Sequence, residues 1–205
     1  MRIAVFAKAP VPGHVKTRLT ALLGADGAAG LHAGLVRHAL ATASMSNLGP
    51  LELWCAPDET HDFFARCARE FHAQLHRQEG TDLGARMRRA FEAAWSRHEK
   101  LILVGCDCPV LTAQHLAAAG AALEATDAVF APAEDGGYVL VALSHDIPGL
   151  FEGIEWGSAS VMAATRERLR AAGARWHELP VLWDVDRPAD YARLQQEGLL
   201  EEVLS

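Results

Sequence analysis

The chain has 205 residues, half of them hydrophobic, and a formal net charge of −7. A chain of this length can bury a full core without disulfide bonds, so we expect a single domain over residues 1–205. The negative charge argues against nucleic acid or an anionic membrane surface as the main partner. The sequence shows no cleavable signal and no uninterrupted apolar run of about 18 residues, which predicts a cytoplasmic protein without integral membrane association.

The start of the chain combines a predicted strand with a basic loop. Residues 2–7 are β-branched and apolar, which predicts a buried strand. The loop after it contains two of the chain's three lysines, Lys8 and Lys16, together with Arg18. Because cations and free backbone N–H groups attract anions where a helix begins, we expect this loop to bind a di- or triphosphate. A solvated basic loop without a ligand is the alternative.

Helices and strands alternate along the rest of the chain. Apolar periodicity predicts helices over 26–44 (after a break near Gly24), 60–71, 82–98, 112–125, 158–173 and from Pro188, with Thr112 and Ser158 as caps, and strands over 51–55, 101–105, 128–131, 138–143 and 175–179. This alternation predicts an α/β fold whose mainly parallel sheet is covered by helices on both faces. Ligands of such sheets bind beyond the carboxyl ends of the strands.

Asp107 follows the most clearly buried predicted strand, over residues 101–105. A carboxylate at that position can bind Mg²⁺ or Mn²⁺, which takes one or two protein carboxylates together with phosphate oxygens and water. The alternative is that Asp107 only begins the turn that leads to Pro109. The basic loop and Asp107 follow different strands, and parallel strands would bring both to the same edge of the sheet.

A cluster of acidic residues precedes the last predicted helix. Asp184, Asp186 and Asp190 lie within seven residues. On an extended segment Asp184 and Asp186 would face the same way, which permits a shared metal ion. The alternative is that an acidic side chain complements the positive N-terminus of the helix, and Asp190 is the residue expected to do so.

The segment Glu134–Tyr138 places acidic residues beside two glycines between two predicted strands. The glycines would let a substrate approach the backbone, and Asp135 would then be close enough to act on it. A simple hairpin turn is an equally good interpretation, since Asp-Gly is a common turn signal.

The cysteines and histidines do not predict a further metal site. None of the four cysteines forms a Cys-x-x-Cys motif, so we expect reduced thiols. Only His72 and His76 are four residues apart, and without a glutamate between them they are expected to be surface residues near a helix end.

Seven short motifs, taken in order, resemble a family of small bacterial GT-A-like glycosyltransferases. This family is a domain of unknown function, also described as radical-SAM- or selenodomain-associated transferases, within the nucleotide-diphospho-sugar transferase superfamily. The motifs span nearly the whole chain and are Phe6–Gly13, Lys16–Leu19, Gln78–Gly84, Gly105–Pro109, Pro132–Tyr138, Ile154–Trp156 and Asp184–Pro188.

The resemblance implies a GT-A-like, three-layer αβα sandwich with a Rossmann-like sheet. Asp107 matches the metal-binding position, and Asp186 resembles the late acidic or amide residue that completes the metal site in related molybdenum-cofactor and phospholactate guanylyltransferases. The residues that match nucleotide- and phosphate-binding positions are Lys8, Pro10, Gly13, Lys16, Thr17, Arg18, Asp82 and Gly84. The chain departs from the family pattern at Cys106, where Ser or Thr is common, and at Arg187, where Thr is common.

The leading hypothesis is a transferase that uses Mg²⁺ or Mn²⁺ and a nucleotide-diphospho-sugar as donor to a small-molecule acceptor. Asp107, Asp184 and Asp186 are the expected metal ligands, and Asp107, Lys16 and Asp135 the expected catalytic residues. A nucleotidyltransferase that joins a nucleoside triphosphate to a small phosphate compound is the second hypothesis, and a non-catalytic nucleotide-binding protein the third. The sequence leaves open the base, the sugar, the acceptor and whether the protein is a homodimer.

Overall fold

The computed structural model describes residues 1–204, which contain seven strands and seven helices. The strands are β1 (Arg2–Lys8), β2 (Leu51–Ala56), β3 (Gln74–Arg77), β4 (Leu101–Gly105), β5 (Ala128–Pro132), β6 (Tyr138–Leu143) and β7 (Trp176–Glu178). The helices are α1 (Thr20–Met45), α2 (Asp62–Phe71), α3 (Leu83–Trp95), α4 (Ala113–Ala122), α5 (Val161–Ala171), α6 (Pro188–Gln196) and α7 (Leu200–Leu204), and a 3₁₀ turn, Thr17–Leu19, precedes α1.

All seven strands form one sheet in the order β3-β2-β1-β4-β6-β5-β7. Only β6 runs against its neighbours, because it returns from β5 through a tight hairpin, and every other pairing is parallel. The predicted mainly parallel α/β sheet is therefore confirmed. Its carboxyl-terminal edge collects the loops that follow β1, β4 and β5.

The side chains of the strands alternate between two buried layers. In β1, Ile3 and Val5 pack with α1, α2 and α4, whereas Ala4 and Phe6 pack on the opposite face with α3 and α5. This two-residue period is what a sheet covered on both faces requires. A third apolar cluster, which includes Leu35 of α1, fixes the segment before α6 and both C-terminal helices against the start of α1.

Helix α1 with its preceding turn, residues 17–45, is long and apolar enough to cross a membrane by length and composition. In this fold it is a core helix that packs against β1, α2, α4 and α7. Gly24 interrupts it with φ 71° and ψ 169°, a conformation that side-chain-bearing residues avoid. The predicted break near Gly24 is confirmed.

Two elements and one cap differ from the sequence prediction. Strand β3 was not predicted, because it is a four-residue edge strand with two exposed side chains and no apolar run. His76 lies in this strand and stacks on Trp54 at 4.8 Å between ring centroids, so its expected place near a helix end is wrong. The Ser158 cap is also wrong: its hydroxyl donates to the Glu155 carbonyl, and α5 begins after Ser160. Helix α7 was not predicted.

A buried ion-pair network ties together the opposite, amino-terminal edge of the sheet. The side chain of Glu52 in β2 is 0% exposed and lies 2.8 Å from an Arg97 nitrogen and 3.3 Å from an Arg2 nitrogen. The indole N–H of Trp54 donates a hydrogen bond to the second carboxylate oxygen of Glu52 at 2.9 Å. A buried carboxylate is stable only when its charge and lone pairs are matched in this way. The network therefore fixes β1, β2 and the segment before β4 to one another.

We expect Glu52→Gln to lower the free energy of unfolding by about 1–3 kcal/mol, because two arginines lose their shared buried anion. Urea unfolding at neutral pH measures the effect. The matched control is Glu124→Gln, whose 69% exposed carboxylate pairs with Lys100 and should contribute at most about 1 kcal/mol. Equal losses in the two variants would show that the Glu52 network does not stabilise the fold.

Candidate functional site

The loops that follow β1 and β4 meet through a buried ion pair. The side chain of Lys16 is only 4% exposed, and its Nζ lies 2.6 Å from Asp107 Oδ1. The same nitrogen donates to the Val185 carbonyl at 2.6 Å, and the Val185 N–H donates to the Asp107 carbonyl at 2.8 Å. Loops from three separate parts of the sequence therefore converge at one edge of the sheet, as predicted.

The local backbone directs Lys16 inwards. Its φ of 46° and ψ of 40° lie in the left-handed region, which is uncommon for a residue other than glycine. This conformation leads directly into the 3₁₀ turn, and the Lys16 side chain is buried beneath the loop.

The pair formed by Lys16 and Asp107 is ionised. Burial acts against the charge of Lys16, but Asp107, together with Cys106 and Asp186, raises the pKa of Lys16 above its ordinary value. Burial likewise acts against the charge of Asp107, but Lys16 and then His32 lower the pKa of that carboxyl. Each charge thus stabilises the other where neither has full access to water.

His32 is a residue of the site that the sequence did not indicate. It lies on the buried face of α1, its Nε2 is 3.0 Å from the Lys8 carbonyl oxygen, and its Nδ1 is 3.8 Å from Asp107 Oδ1. Burial, which is the largest influence, lowers the pKa of His32. No spacing motif marks it among ten histidines, since its partners come from β1 and the loop after β4.

The late aspartates lie in different surroundings. Asp186 forms an exposed ion pair with Arg18, whereas Asp190 accepts the backbone N–H groups of Asp186 and Arg187 and so complements α6, as expected. Burial, followed by the nearby charges of Asp135 and Asp107, raises the pKa of Asp184 to about 6.

The predicted ligands Asp107, Asp184 and Asp186 do not form a compact set in this structure. Within residues 1–204, a single group of three potential ligands has atoms that all lie within 4.8 Å of one another, and it consists of His32, Cys106 and Asp107. Asp186 is held apart by its ion pair with Arg18. Among the three aspartates, Asp107 is the one that lies in the potential metal-binding group.

Two adjoining spaces open above these residues. The first, called the basic cleft, has a volume of about 520 Å³ and is lined by Lys8, Lys16, Thr17, Arg18, Asp107 and Asp186. Its walls also include Gln78, the first residue of one of the motifs, and His14, which the sequence did not single out. The second, called the apolar cavity, has a volume of about 220 Å³ and is lined by Leu83, Met87, Tyr138, Trp156, Val161, Asp135 and Asp184, among others. Phe6, Leu83 and Gly105 line both spaces, so the cleft and the cavity share a wall.

Four predicted phosphate-binding residues lie outside the walls of the basic cleft. They are Pro10, Gly13, Asp82 and Gly84. Asp82 instead caps α3, because its carboxylate accepts the Ala85 N–H at 2.8 Å. Gly84 is buried, and a side chain there would lie within 3.0 Å of the Phe151 carbonyl and the Trp156 ring. Asp82 therefore shapes the start of α3, and Gly84 leaves room for Trp156 beside the apolar cavity.

Three solved structures share this fold. The first is a candidate nucleotide-diphospho-sugar transferase from Desulfovibrio desulfuricans G20, 30% identical, with a TM-score of 0.82 over 98% of this chain and 97% of that one. The second is a cytidylyltransferase from Leptospira borgpetersenii, 13% identical, with a TM-score of 0.61 over 94% and 84%. The third is Rv0371C from Mycobacterium tuberculosis H37Rv in complex with manganese, 18% identical, with a TM-score of 0.55 over 95% and 98%.

The resemblance drawn from the motifs is consistent with these structures, and the second and third of them show the fold alone. No curated protein matches the chain. Residues 39–158, more than half of the chain, match the family described as "Uncharacterized protein conserved in bacteria (DUF2064)". The protein is a member of the DUF2064 family, with the fold of nucleotide-diphospho-sugar transferases.

Proposed function

We propose that the protein is a transferase that moves a glycosyl group from a nucleotide-diphospho-sugar to a small, uncharged acceptor with the help of a divalent cation. The observation that carries this proposal is the pairing of two adjoining spaces of opposite character. A basic cleft suits a diphosphate, and an acid-edged apolar cavity beside it suits an acceptor. Similarity to a candidate nucleotide-diphospho-sugar transferase over almost the whole chain supports it.

The basic cleft provides the donor site. Lys8, Lys16 and Arg18 all line it, and Arg18 is exposed, so diphosphate oxygens can replace Asp186 as its partner at little cost. Cations placed around the departing diphosphate stabilise the charge that develops when its bond to the sugar breaks. Lys16, fixed by Asp107 and Val185, needs little reorganisation to serve this purpose.

Asp107 is the proposed anchor of a divalent cation. Its carboxylate is 45% exposed at the base of the cleft, and Mg²⁺ or Mn²⁺ needs only one or two protein carboxylates when phosphate oxygens and water complete its shell. A cation bound there would neutralise the diphosphate leaving group. Asp186 and Asp184 border the same region and remain the proposed additional ligands.

The apolar cavity provides the acceptor site. No Lys, Arg or His among the described residues lines it, whereas the carboxylates of Asp135 and Asp184 do. A phosphate or carboxylate acceptor would meet only repulsion from these two groups, so the charge pattern favours an alcohol. Asp135, which accepts the Gly137 N–H at 2.8 Å, is the proposed acceptor of the hydroxyl proton. The acceptor oxygen then bonds to the anomeric carbon as the bond from that carbon to the diphosphate breaks.

Nucleotidyl transfer is the second candidate function. Three basic side chains in one cleft also suit a triphosphate, which carries more charge than a diphosphate. In that case the reaction would release pyrophosphate, and the second substrate would carry the phosphate that attacks. The lack of a basic side chain in the apolar cavity is the feature that makes this candidate second.

A thermal-shift screen tests the donor class. It compares nucleotide-diphospho-sugars with the matching triphosphates, each with Mn²⁺, with Mg²⁺ or with EDTA. We expect one nucleotide-diphospho-sugar to stabilise the protein in a metal-dependent way, by about 2.7 kcal/mol at one hundred times its Kd. Lys16→Met should raise that Kd roughly 10- to 100-fold, because a charged hydrogen bond is lost.

The control for that variant is Lys100→Met, which removes a lysine that pairs with Glu124 away from the cleft and should leave the Kd unchanged. A preference for a triphosphate would favour nucleotidyl transfer. Stabilisation by none of the nucleotides would contradict both transferase functions.

Asp135→Asn tests the acceptor side. Loss of the proton acceptor should lower kcat roughly 100- to 10,000-fold and leave the Kd of the donor unchanged. The measurement is release of the nucleoside diphosphate from the donor found in the screen, with a panel of small alcohols as acceptors. Asp146→Asn, at a surface ion pair with Arg88, is the matched control. A variant that keeps its kcat would remove Asp135 from the mechanism.

A further inference from the structure

Three electron-rich atoms from two parts of the chain converge beneath the basic cleft. Asp107 Oδ1 lies 3.6 Å from Cys106 Sγ and 3.8 Å from His32 Nδ1. All three potential ligand atoms lie within 4.8 Å of one another. His32 and Cys106 are both about 95% buried, at 4% and 5% exposure. The Cys106 thiol donates to Asp107 Oδ1, so a metal ion bound by these three atoms would replace the thiol proton.

The orientation of His32 shows which of its atoms is available. The Lys8 carbonyl can only accept a hydrogen bond, so the nitrogen facing it, Nε2, carries the ring proton. Nδ1 faces Asp107 Oδ1 at 3.8 Å and has no hydrogen-bond partner among the described residues. Histidines that bind metals are held in the same way, with the second ring nitrogen donating to a carbonyl or carboxylate.

Two of the three ligand separations are close to those around a tetrahedral transition-metal ion. Bond lengths of about 2.0–2.3 Å to nitrogen, oxygen and sulfur place ligand atoms roughly 3.4–3.6 Å apart in a tetrahedron. The two separations from Asp107 Oδ1, 3.6 and 3.8 Å, are close to these values. We propose that His32, Cys106 and Asp107 form a binding site for a borderline metal such as Zn²⁺ or Co²⁺, with its fourth position open to the basic cleft.

The donor set separates this site from one built for magnesium. Thiolate and imidazole ligands favour zinc, cobalt and similar ions, whereas Mg²⁺ prefers an all-oxygen shell. Cys106 supplies the sulfur of this donor set. The proposal stands on the ligand geometry and does not depend on which group the protein transfers.

Lys16 competes for the same carboxylate oxygen. Its Nζ lies 2.6 Å from Asp107 Oδ1, so a metal ion at the site must displace the ammonium group or weaken its contact. The displaced ammonium group would remain beside the basic cleft, which Lys16 lines. Removing the ammonium without shortening the side chain, as in Lys16→Met, should therefore strengthen metal binding.

Titration of the full-length, chelator-treated protein with Co²⁺ tests the site by absorption spectroscopy. We expect visible bands of a tetrahedral Co²⁺ ion and a near-ultraviolet charge-transfer band from a Co²⁺–thiolate bond, both removed by excess Zn²⁺. Cys106→Ser should lose the charge-transfer band and bind Co²⁺ roughly 100-fold more weakly or worse. Removing only a hydrogen-bond partner of a metal ligand already weakens metal binding by about 10- to 100-fold. Cys67→Ser, which removes a buried thiol in α2, should keep the wild-type spectrum.

His32→Gln provides a second variant, and circular dichroism confirms that each variant is folded before titration. The His32→Gln variant should retain the Co²⁺–thiolate band and bind Co²⁺ more weakly, with visible bands of altered shape. A wild-type protein without a cobalt–thiolate band, or a band that survives in Cys106→Ser, would overturn the proposal. If the wild-type protein gave no cobalt–thiolate band but still bound a nucleotide-diphospho-sugar with Mg²⁺, the proposed transferase function would stand. Only this metal site would then be rejected.

Discussion

The buried ion pair between Lys16 and Asp107 is the interaction on which the functional edge of the sheet depends. A charged lysine that is almost fully buried is strongly destabilising unless an anion matches it. Asp107 provides that anion, and the Val185 carbonyl and N–H fix the final loop to both partners. Three loops that have no local reason to meet are thereby held in one arrangement.

The two edges of the sheet have different tasks. At the amino-terminal edge, Glu52 is fully buried and its charge is matched by arginines, so this network can only stabilise the fold. At the carboxyl-terminal edge, Asp107 keeps 45% of its side-chain surface exposed, so its charge is open to the basic cleft. This separation explains why parallel α/β sheets can vary their chemistry without losing their fold.

Much of the fold could be predicted because its signals are local. The apolar run of β4, the hairpin between β5 and β6 and the helix break at Gly24 all follow from short stretches of sequence. Strand β3 could not be predicted in this way, since its edge position leaves it polar. Its existence depends on pairing with β2, which is a tertiary property.

The site was predictable to the extent that its residues follow strands. Lys16 and Asp107 could be placed at one edge because parallel strands end together. His32 could not, because it reaches the site from the middle of a helix and through contacts with the Lys8 carbonyl and Asp107. The pairing of Asp186 with Arg18 likewise depends on side-chain positions, and no spacing rule separates a metal ligand from the partner of an arginine.

The most direct test of the central claim is a double-mutant cycle on Lys16 and Asp107, read out as the Kd of the nucleoside diphosphate in the presence of Mn²⁺ by titration calorimetry. If the two residues act as one unit, Lys16→Met and Asp107→Asn should each weaken binding. The double variant should then lose less than the two losses combined, by a coupling of about 0.5–3 kcal/mol. Losses that add, or variants that bind as tightly as the wild type, would contradict the account.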